Sequence, residues 1–520
     1  MKGTIFGFVL IVLGIVFVVA RVPVGRAWTP VEGHITVDTW WTVANSPYRL
    51  IGDVIVDPGV TLTIEPGVRV EITDGRSLII NGSLYAVGTA DAIIEFTSSR
   101  PDPYAGVWKT IMFCGSENES FTVGFAFVSF AKHGVTVQSL GTAMIHDSVF
   151  INCSESGVHT IGQVNLTVQR NNFSALKYGI FSEGTVISGI IIRDNIVNSS
   201  GDGIYAYASS GDYASAYVYN LTFQNNQVTS QGNGIYAYAS SGYHASAYVY
   251  NLTFQNNRVF SCGDSGVIVE GHGYVPTFAY DALLIDNIIS ANTNVGIKII
   301  EVRTNITNNS VAYNKYGITY EGSTGNLARF NDIYRNSLYG MYVSGGSTVN
   351  AEHNYWGNET GPYHESINPE GTGNRVNGDG VNLDFIPWLT SPVGTINERP
   401  VAVLTADKTE VGVNEIVTFD ASQSYDDGKI VYYFFDFGDG TNSTWTTTSV
   451  VKHKYTKEGK YNVTLIVMDD FGVKSIDSNK VYITITVVPE FPQTLILPLL
   501  MITTLTATVL AKRKKIRRRE

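Results

Sequence analysis

The sequence predicts an all-β protein with a central solenoid, and three observations support this prediction. Only 16% of the 520 residues are charged, against roughly 25% in ordinary soluble proteins, while glycine (51) and tyrosine (30) are abundant. Residues 201–228 recur at 232–259 with four differences in 28 positions. Short apolar segments alternate with polar residues over most of the chain, without the 3.6-residue period of an amphipathic helix. Strands and turns should therefore dominate.

The duplicated segment belongs to a longer array of repeats. Asparagines followed closely by an apolar residue recur every 22 to 31 residues, and glycines before Ile, Val or Met recur every 21 to 32 residues between Gly134 and Gly340. The asparagines are Asn172, Asn195, Asn226, Asn257, Asn287, Asn309, Asn331 and Asn354. A repeat near 22 residues fits one coil of a parallel β-helix, in which stacked side-chain amides hydrogen-bond in a ladder. We expect the glycines at bends that need positive φ.

Three further motifs carry a resemblance to a known family. They read Val60-Thr-Leu-Thr-Ile-Glu-Pro-Gly67, Gly82-Ser-Leu-Tyr-Ala-Val-Gly88 and Asn354-Tyr-Trp-Gly-Asn-Glu-Thr-Gly-Pro362. They resemble the right-handed β-helix domains of archaeal and bacterial surface proteins, which are distantly similar to pectate-lyase-like, carbohydrate-binding and sugar-hydrolysis domains. The resemblance implies a right-handed parallel β-helix over residues 28–390.

A second domain is predicted at residues 400–487, after a linker at 391–399. Its short alternating segments suit an antiparallel β-sandwich. The motifs Tyr433-Phe-Phe-Asp-Phe-Gly-Asp-Gly440 and His453-x-Tyr455 resemble the PKD domain, an immunoglobulin-like module. Such modules act as spacers or weak ligand binders, so the resemblance implies a stalk between the solenoid and a membrane.

Aspartates of this second domain are candidate calcium ligands, because Ca²⁺ prefers clustered oxygen ligands. The candidates are Asp426, Asp427, Asp436 and Asp439. The alternative is a turn with solvated carboxylates. No cofactor is required elsewhere, since Cys114, Cys153 and Cys262 match neither a disulfide framework nor a zinc site.

Both ends of the chain are apolar, and we expect terminal hydrophobic helices there. Residues 1–27 read as a signal peptide or an N-terminal anchor. Residues 488–520 contain Pro-Glu-Phe-Pro, an uncharged span at 494–511 and a basic tail. Eighteen residues at about 1.5 Å each approach the roughly 30 Å of a bilayer core, and the basic tail stays cytoplasmic. The body is therefore expected at the cell surface, anchored in the cytoplasmic membrane.

The C-terminal segment resembles the sorting signal of archaeal surface proteins, which implies a sortase-like processing enzyme as a partner. Sequons such as Asn220 and Asn251 agree with an extracellular glycoprotein. The net charge of −11 includes the basic tail, so the exterior is more acidic than that total. Such a surface is not attracted to phosphate backbones, and nucleic acid is excluded as a partner.

The duplicated repeat holds the candidate binding residues. If Ile204 points inward, alternation directs four tyrosines outward as a flat patch on which sugar rings stack. These tyrosines are Tyr205, Tyr207, Tyr236 and Tyr238, and His244 is expected to join them. The alternative buries them under the inserted loops. A second set, Tyr217, Tyr248 and Phe278 with Tyr219, Tyr250 and Tyr280, shares parity with Leu221 and Phe223 and is expected in the core; Phe278 and Tyr280 lie outside the residues that the structure describes.

The sequence favours a membrane-anchored extracellular protein that binds polysaccharide or glycoprotein glycans. A cell-surface polysaccharide lyase or glycoside hydrolase is the alternative, with Asp202, Asp212 and Glu270 as catalytic candidates. Two carboxylates roughly 5 to 10 Å apart would suffice for hydrolysis. A purely structural envelope protein is the second alternative.

Overall fold

The computed structural model describes residues 28–272, 282–475 and 483–488, with a few helical residues at 501, 505–508 and 510. It confirms the all-β prediction, because nearly every regular element is a strand. The predicted segments 1–27 and 488–520 lie almost entirely outside the described residues. Among the residues that the structure describes, no helix is both long and apolar enough to cross a bilayer.

The solenoid consists of three parallel sheets that run along its length, each coil adding one strand to each sheet. The first sheet contains Leu78–Ile80, Ile111–Phe113, His133–Val137, Ile204–Ser209, Ile235–Ser240, Val267–His272, Val295–Ile300, Tyr316–Glu321 and Tyr339–Ser344. The second contains Thr39–Trp41, Thr61–Ile64, Ser83–Val87, Ser120–Gly124, Thr142–His146, Ala216–Gln224, Ala247–Gln255, Ala282–Ile285, Thr304–Thr307, Asn326–Arg329, Val349–Asn350 and Leu383–Asp384. The third contains Arg69–Ile72, Ile94–Ser98, Ala126–Ser129, Val149–Ile151, Asn172–Leu176, Ile196–Ser199, Gln227–Ser230, Arg258–Phe260, Ile288–Ser290, Ser310–Ala312 and Asp332–Tyr334.

Four long strands bend and take part in two sheets. Thr29–Ile35 and Tyr48–Val56 belong to the third and first sheets, and Ser156–Gln169 and Tyr178–Arg193 to the first and second. A short 3₁₀ helix spans Val43–Asn45. One continuous core of buried apolar side chains fills the interior between the sheets.

Eight buried asparagines form the predicted ladder, but its first member is Asn171 and not the exposed Asn172. From Asn195 onward, each Oδ1 accepts hydrogen bonds from the backbone N–H and the Nδ2 of the asparagine one coil earlier; for Asn257 and Asn226 these distances are 3.1 and 3.0 Å. The residue before each ladder asparagine has positive φ, as at Arg170 (54°). This left-handed bend turns the following side chain inward, which is why Asn171 is the buried one.

A second ladder lies five residues further along the later coils. It consists of Asn292, Asn314, Asn336 and Asn374. The first three stand five residues after a member of the first ladder. This fixed offset is visible in the sequence, but the second ladder was not predicted from it.

The repeated glycines do not have the positive φ expected from the sequence. Gly203 and Gly234 lie outside the left-handed region. A Cβ at Gly234 would instead collide with the Val259 side chain and the Gly266 carbonyl. Glycine is needed there because coils pack closely, while polar residues such as Asp194 supply the positive φ at the bends.

The second domain is a small β-sandwich with its own core. One sheet contains Thr405–Ala406, Ile416–Asp420 and Val450–Lys454; the other contains Glu410–Gly412, Ile483–Val488, Gly459–Asp469 and Ile430–Asp436. All pairs are antiparallel except the one between Glu410–Gly412 and Ile483–Val488. His453 stacks on Phe437 at 4.0 Å, and the Tyr455 hydroxyl donates to the Phe437 carbonyl at 3.1 Å.

A loop of the second domain, residues 469–474, contacts the third sheet of the solenoid. Arg258 donates to the Asp470 carboxylate at 3.0 Å and to its carbonyl at 2.7 Å. Asn397 donates its amide to the fully buried Asp469 at 2.8 Å, and its backbone N–H to the Tyr334 hydroxyl at 3.0 Å. The domain is therefore fixed to the side of the solenoid, which differs from the extended stalk expected above.

Candidate functional site

Four tyrosines of the duplicated repeat lie side by side on the outer face of the first sheet. Parallel pairing aligns Tyr205 with Tyr236 and Tyr207 with Tyr238. They alternate with buried residues such as Ile204, and all four side chains are partly exposed. We call these four residues the tyrosine rows. The outward orientation is the predicted one.

The rings of neighbouring coils stack with partial overlap and do not form the flat patch expected from the sequence. The Tyr205 and Tyr236 centroids are 5.0 Å apart with 22° between the planes, and those of Tyr207 and Tyr238 are 5.4 Å apart with 11°. Coplanar rings side by side need at least about 6 Å, because their carbons keep about 3.5–4.0 Å apart. The strand spacing is shorter than a ring is wide, so the rings tilt and stack.

Each end of the Tyr207–Tyr238 row carries a glutamate, whereas the Tyr205–Tyr236 row lies between Phe181 and Ile268. Strand pairing gives the order Glu183, Tyr207, Tyr238, Glu270 along the outer face. Glu183 is 45% exposed and contacts His159 Nε2 at 2.9 Å. The Tyr207–Tyr238 row is therefore bordered by negative charge on both sides.

Glu270 is the most enclosed of these carboxylates, with 13% of its side chain exposed. Its Oε2 accepts from the Tyr236 hydroxyl and its Oε1 contacts His272 Nε2, both at 2.5 Å. His272 Nδ1 lies 3.8 Å from Glu301 Oε2. Tyr236, Glu270, His272 and Glu301 thus form one polar cluster beside the tyrosine rows.

The environment disfavours ionisation of two phenols of the rows, those of Tyr205 and Tyr236. Burial raises the pKa of Tyr205, and nearby Asp202 adds to this shift. Burial also raises the pKa of Tyr236, and the hydrogen bond to Glu270 adds to it. Burial lowers the pKa of His159, which outweighs the opposite effect of Glu183. Tyr205 and Tyr236 are therefore neutral hydrogen-bonding groups at neutral pH, and the charged form of His159 is disfavoured.

The three catalytic candidates do not meet at one place. Asp202 accepts from the backbone and side chain of Asn233 at 2.7 and 3.0 Å. Asp212 lies in an inserted loop, where it accepts from the Tyr243 N–H at 2.8 Å. Only Glu270 hydrogen-bonds to a tyrosine of the rows.

His244 belongs to the inserted loops and not to the strands that carry the tyrosine rows. It stacks on Tyr213 with centroids 5.5 Å apart and meets Tyr243 edge-on at 4.1 Å. The expected junction between His244 and the rows is therefore replaced by a separate aromatic group on the loops.

The described tyrosines of the second set also point outward, which corrects the expectation of core packing. Tyr217 stacks on Tyr248 at 4.9 Å and Tyr219 on Tyr250 at 4.8 Å. Asn220 has a positive φ of 54°, which interrupts the regular alternation of inward and outward side chains along this strand. Strand parity therefore changes at Asn220, and Tyr217 and Leu221 lie on opposite sides of the sheet despite their even spacing.

Three of the calcium candidates serve local turns, and the fourth, Asp427, accepts from the segment that precedes the domain. Asp436 accepts from the Gly438 N–H at 2.9 Å, and Asp439 binds Thr441 and contacts His453. Asp426 accepts from the Gly428 N–H at 3.0 Å, and Asp427 from the Glu398 N–H at 3.1 Å. Across the described ranges, no group of three or more His, Cys, Asp or Glu has the geometry to hold a metal.

Comparison with family models places this architecture in a known class. Residues 115–249 and 244–380 match the right-handed β-helix region, and residues 33–147 match the pectate-lyase-like β-helix domain. Because the first of these models covers just over half of the chain, the chain belongs to the right-handed β-helix family. Residues 397–485 match the PKD domain.

Curated relatives share only short segments with this chain. Collagenase ColA of Clostridium perfringens is 39% identical over 87 residues, 16% of this chain and 8% of that protein. A microbial collagenase of Vibrio alginolyticus is 40% identical over 103 residues, 19% of this chain and 12% of that protein. The chain therefore spans about a tenth of the length of these relatives.

Several solved structures resemble parts of this chain. The PKD1 domain of Vibrio anguillarum Epp is 30% identical over 18% of this chain and 96% of that chain, with a TM-score of 0.15. The periplasmic alginate epimerase AlgG is 14% identical over 68% of this chain and 82% of that chain, with a TM-score of 0.37. The tailspike protein gp49 of Acinetobacter baumannii bacteriophage Fri1, a capsular polysaccharide depolymerase, is 11% identical over 82% and 73%, with a TM-score of 0.30.

Proposed function

We propose that this chain is a membrane-anchored extracellular surface protein that binds polysaccharide or glycoprotein glycans through the tyrosine rows. The observation that carries the proposal is the register of Tyr205 with Tyr236 and Tyr207 with Tyr238 on a partly exposed sheet face. Phenol hydroxyls repeat there at fixed spacing, and tilted ring surfaces lie between them. Aromatic rings supply apolar contact, and protonated phenols supply hydrogen bonds to sugar hydroxyls.

The rigidity of the solenoid supports binding. Parallel strands flank the two strands of the rows on both sides. Within each strand the two tyrosine rings pack against each other, with centroids 5.6 to 5.8 Å apart. Side chains that are already fixed lose little conformational entropy when a ligand binds. The surface therefore needs no rearrangement before it contacts a glycan.

The carboxylate geometry favours binding over hydrolysis. Glu183 and Glu270 are three strands apart, which is roughly 14 Å at the spacing of parallel strands. That separation exceeds the roughly 5 to 10 Å that a hydrolase needs. Glu270 and Glu301 both face His272, so the imidazole occupies the space where the scissile bond would lie.

A cell-surface polysaccharide lyase or glycoside hydrolase is the second candidate, and one contact favours it. Glu270 joins the Tyr236 phenol to the His272 imidazole, and these are groups that exchange protons in general acid–base catalysis. Incubation of the full-length chain with the glycans that it binds tests this function. New reducing ends or unsaturated products that disappear in Glu270→Gln would establish cleavage.

The cellular location in this proposal depends on the two apolar ends of the sequence. A span at residues 494–511 followed by a basic tail suits an anchor whose upstream part lies outside the cell. Protease treatment of intact cells tests it: the body should be released while the tail stays protected. A mature C-terminus that ends before the span would reveal sortase-like processing.

Affinity measurements on the full-length protein test the binding site. We expect Tyr207→Ala/Tyr238→Ala to weaken binding to its glycan about tenfold, since each lost aromatic contact contributes roughly 0.5–1.5 kcal/mol. The matched control is Tyr316→Ala/Tyr339→Ala, another stacked pair on the first sheet with centroids 6.0 Å apart. Equal affinity of the wild type and the Tyr207 and Tyr238 variant for every glycan that binds would refute the proposed site.

A further inference from the structure

We infer that the tyrosine rows select glycans with positively charged amino sugars over neutral and uronate glycans. This inference rests on the proposed function and specifies the ligand class of the same site. It follows from the charges that border the rows, since a polymer lying across the tyrosines also passes the glutamates at both ends.

The charged residues stand in register with the tyrosines. Glu183 lies one coil before Tyr207 and pairs with it. Glu270 lies one coil after Tyr238 and pairs with it. Both glutamates occupy outward positions of the same row, because strand partners in parallel sheets point to the same face. A ligand in contact with Tyr207 and Tyr238 therefore meets a carboxylate on either side.

Two of the acidic side chains near the rows face solvent and are available to a ligand. Glu183 is 45% exposed and uses Oε1 for its contact with His159. Glu301 is 44% exposed and lies 3.8 Å from His272. A third carboxylate, Asp202, is close enough to Tyr205 to raise its pKa after the larger effect of burial.

The basic groups on this face do not cancel these charges. Lys298 is in register with Ile268, three coils beyond Tyr205 and Tyr207 and two beyond Tyr236 and Tyr238. Lys177 is already paired with Glu155 at 3.1 Å. Burial lowers the pKa of His159, which disfavours its charged form, and the single imidazole of His272 faces two carboxylates, Glu270 and Glu301.

The balance therefore attracts cations. Glu183 and Glu270 attract a protonated amine, because opposite charges near a protein surface interact across several ångströms. A uronate polymer would place its own carboxylates beside these glutamates and would be repelled. A neutral glycan gains nothing from these groups. A hexosamine polymer with free amines offers both sugar rings that contact the tyrosines and positive charges that meet the glutamates.

Three hexamers of equal length test the inference: glucosamine, N-acetylglucosamine and galacturonate. Titration of the full-length protein at about pH 5.5 keeps most glucosamine amines protonated, although they are weaker bases than alkylamines, and keeps ordinary glutamates ionised. We expect the glucosamine hexamer to bind at least about fivefold more tightly than the acetylated one, and the galacturonate hexamer to bind most weakly. Raising the salt from 20 to 300 mM should reduce the affinity for the glucosamine hexamer and leave that of the acetylated hexamer nearly constant.

Charge-neutral variants identify the residues responsible. Glu183→Gln/Glu270→Gln should bring the first two hexamers within about twofold of each other. The control Glu359→Gln/Glu365→Gln removes the same number of charges from exposed positions on the last coil and should keep the preference. Glu183→Gln alone provides a further test at a half-exposed position, and it should reduce the preference about twofold.

The outcomes separate the inference from the proposed function. If Tyr207→Ala/Tyr238→Ala does not change the affinity for any hexamer, the binding site itself is wrong. If binding depends on these tyrosines but favours the neutral or the uronate hexamer, only the charge preference is wrong. The charge preference is also wrong if the selectivity for amines survives in the Glu183 and Glu270 double variant.

Discussion

The first ladder asparagine offers a sharp test of how the solenoid is held together. Asn171 is 2% exposed and adjoins the exposed Asn172 in the chain. Its Nδ2 donates to the Ile145 carbonyl at 3.0 Å and to Asn195 Oδ1 at 3.1 Å. Its Oδ1 accepts from the Ser148 N–H at 3.0 Å. The substitution Asn171→Ala removes all three interactions at once.

The expected cost follows from the groups that lose their partners. The Ile145 carbonyl and the Ser148 N–H each lose a side-chain partner inside the solenoid, at about 1–3 kcal/mol per unsatisfied group. We therefore expect Asn171→Ala to lower the free energy of unfolding by about 3 kcal/mol. Asn172→Ala removes an exposed side chain and should change it by less than about 0.5 kcal/mol.

Urea unfolding of both variants, made in a host without N-glycosylation, measures this difference. A solenoid with a second domain need not unfold in one step. Hydrogen exchange of the peptide that contains Ser148 therefore supplies a local readout, which should accelerate only in Asn171→Ala. Equal shifts in the two variants would show that the buried ladder contributes no more than any exposed asparagine.

Two further predictions concern packing and pH. Gly234→Ala should destabilise the protein by about 2 kcal/mol because its Cβ meets Val259, whereas Gly211→Ala, with open space around it, should be neutral in the same unfolding assay. Burial raises the pKa of Asp469 to about 6, above the usual 3.8, so the folded state binds this proton more tightly than the unfolded state. Its contribution to stability should therefore fall by about 2 kcal/mol as the pH rises from 4 to 6 and stay constant above. Asp469→Asn should remove this pH dependence, and an unchanged stability–pH profile in that variant would contradict the assignment.

Strand alternation predicted the tyrosine rows but failed for their neighbours on the second sheet. Between Ile204 and Ala208 the chain is regular, so a period of two separates outer from inner residues. Asn220 interrupts the next strand with positive φ, and parity counted from Leu221 then assigns Tyr217 and Tyr219 to the wrong side. Asparagine tolerates positive φ well. Asn220 and Asn251, which occupy the same position in the two repeats, were therefore the sequence feature that could have indicated the change of parity.

The repeat also predicted the asparagine ladder, but it did not determine which of two adjacent asparagines is the first buried member. Asn171 and Asn172 are equivalent in sequence terms, and only the left-handed Arg170 decides which of them turns inward. Similarly, Glu270 was a candidate by its place in a widened coil. Its partners Tyr236 and His272 were not predicted, because contacts between coils depend on side-chain orientation across strands.

The sequence by itself determined the β-helix, the PKD domain and the outward tyrosines, because periodic burial and turn chemistry are local properties that repeat along the chain. The tertiary structure decided the rest: the stacking of the rings, the glutamates at both ends of the rows and the attachment of the second domain through Asp469 and Asp470. These features join residues from different coils or domains, such as Arg258 and Asp470. Their distances are set by the strand spacing and by domain packing, which no local pattern encodes.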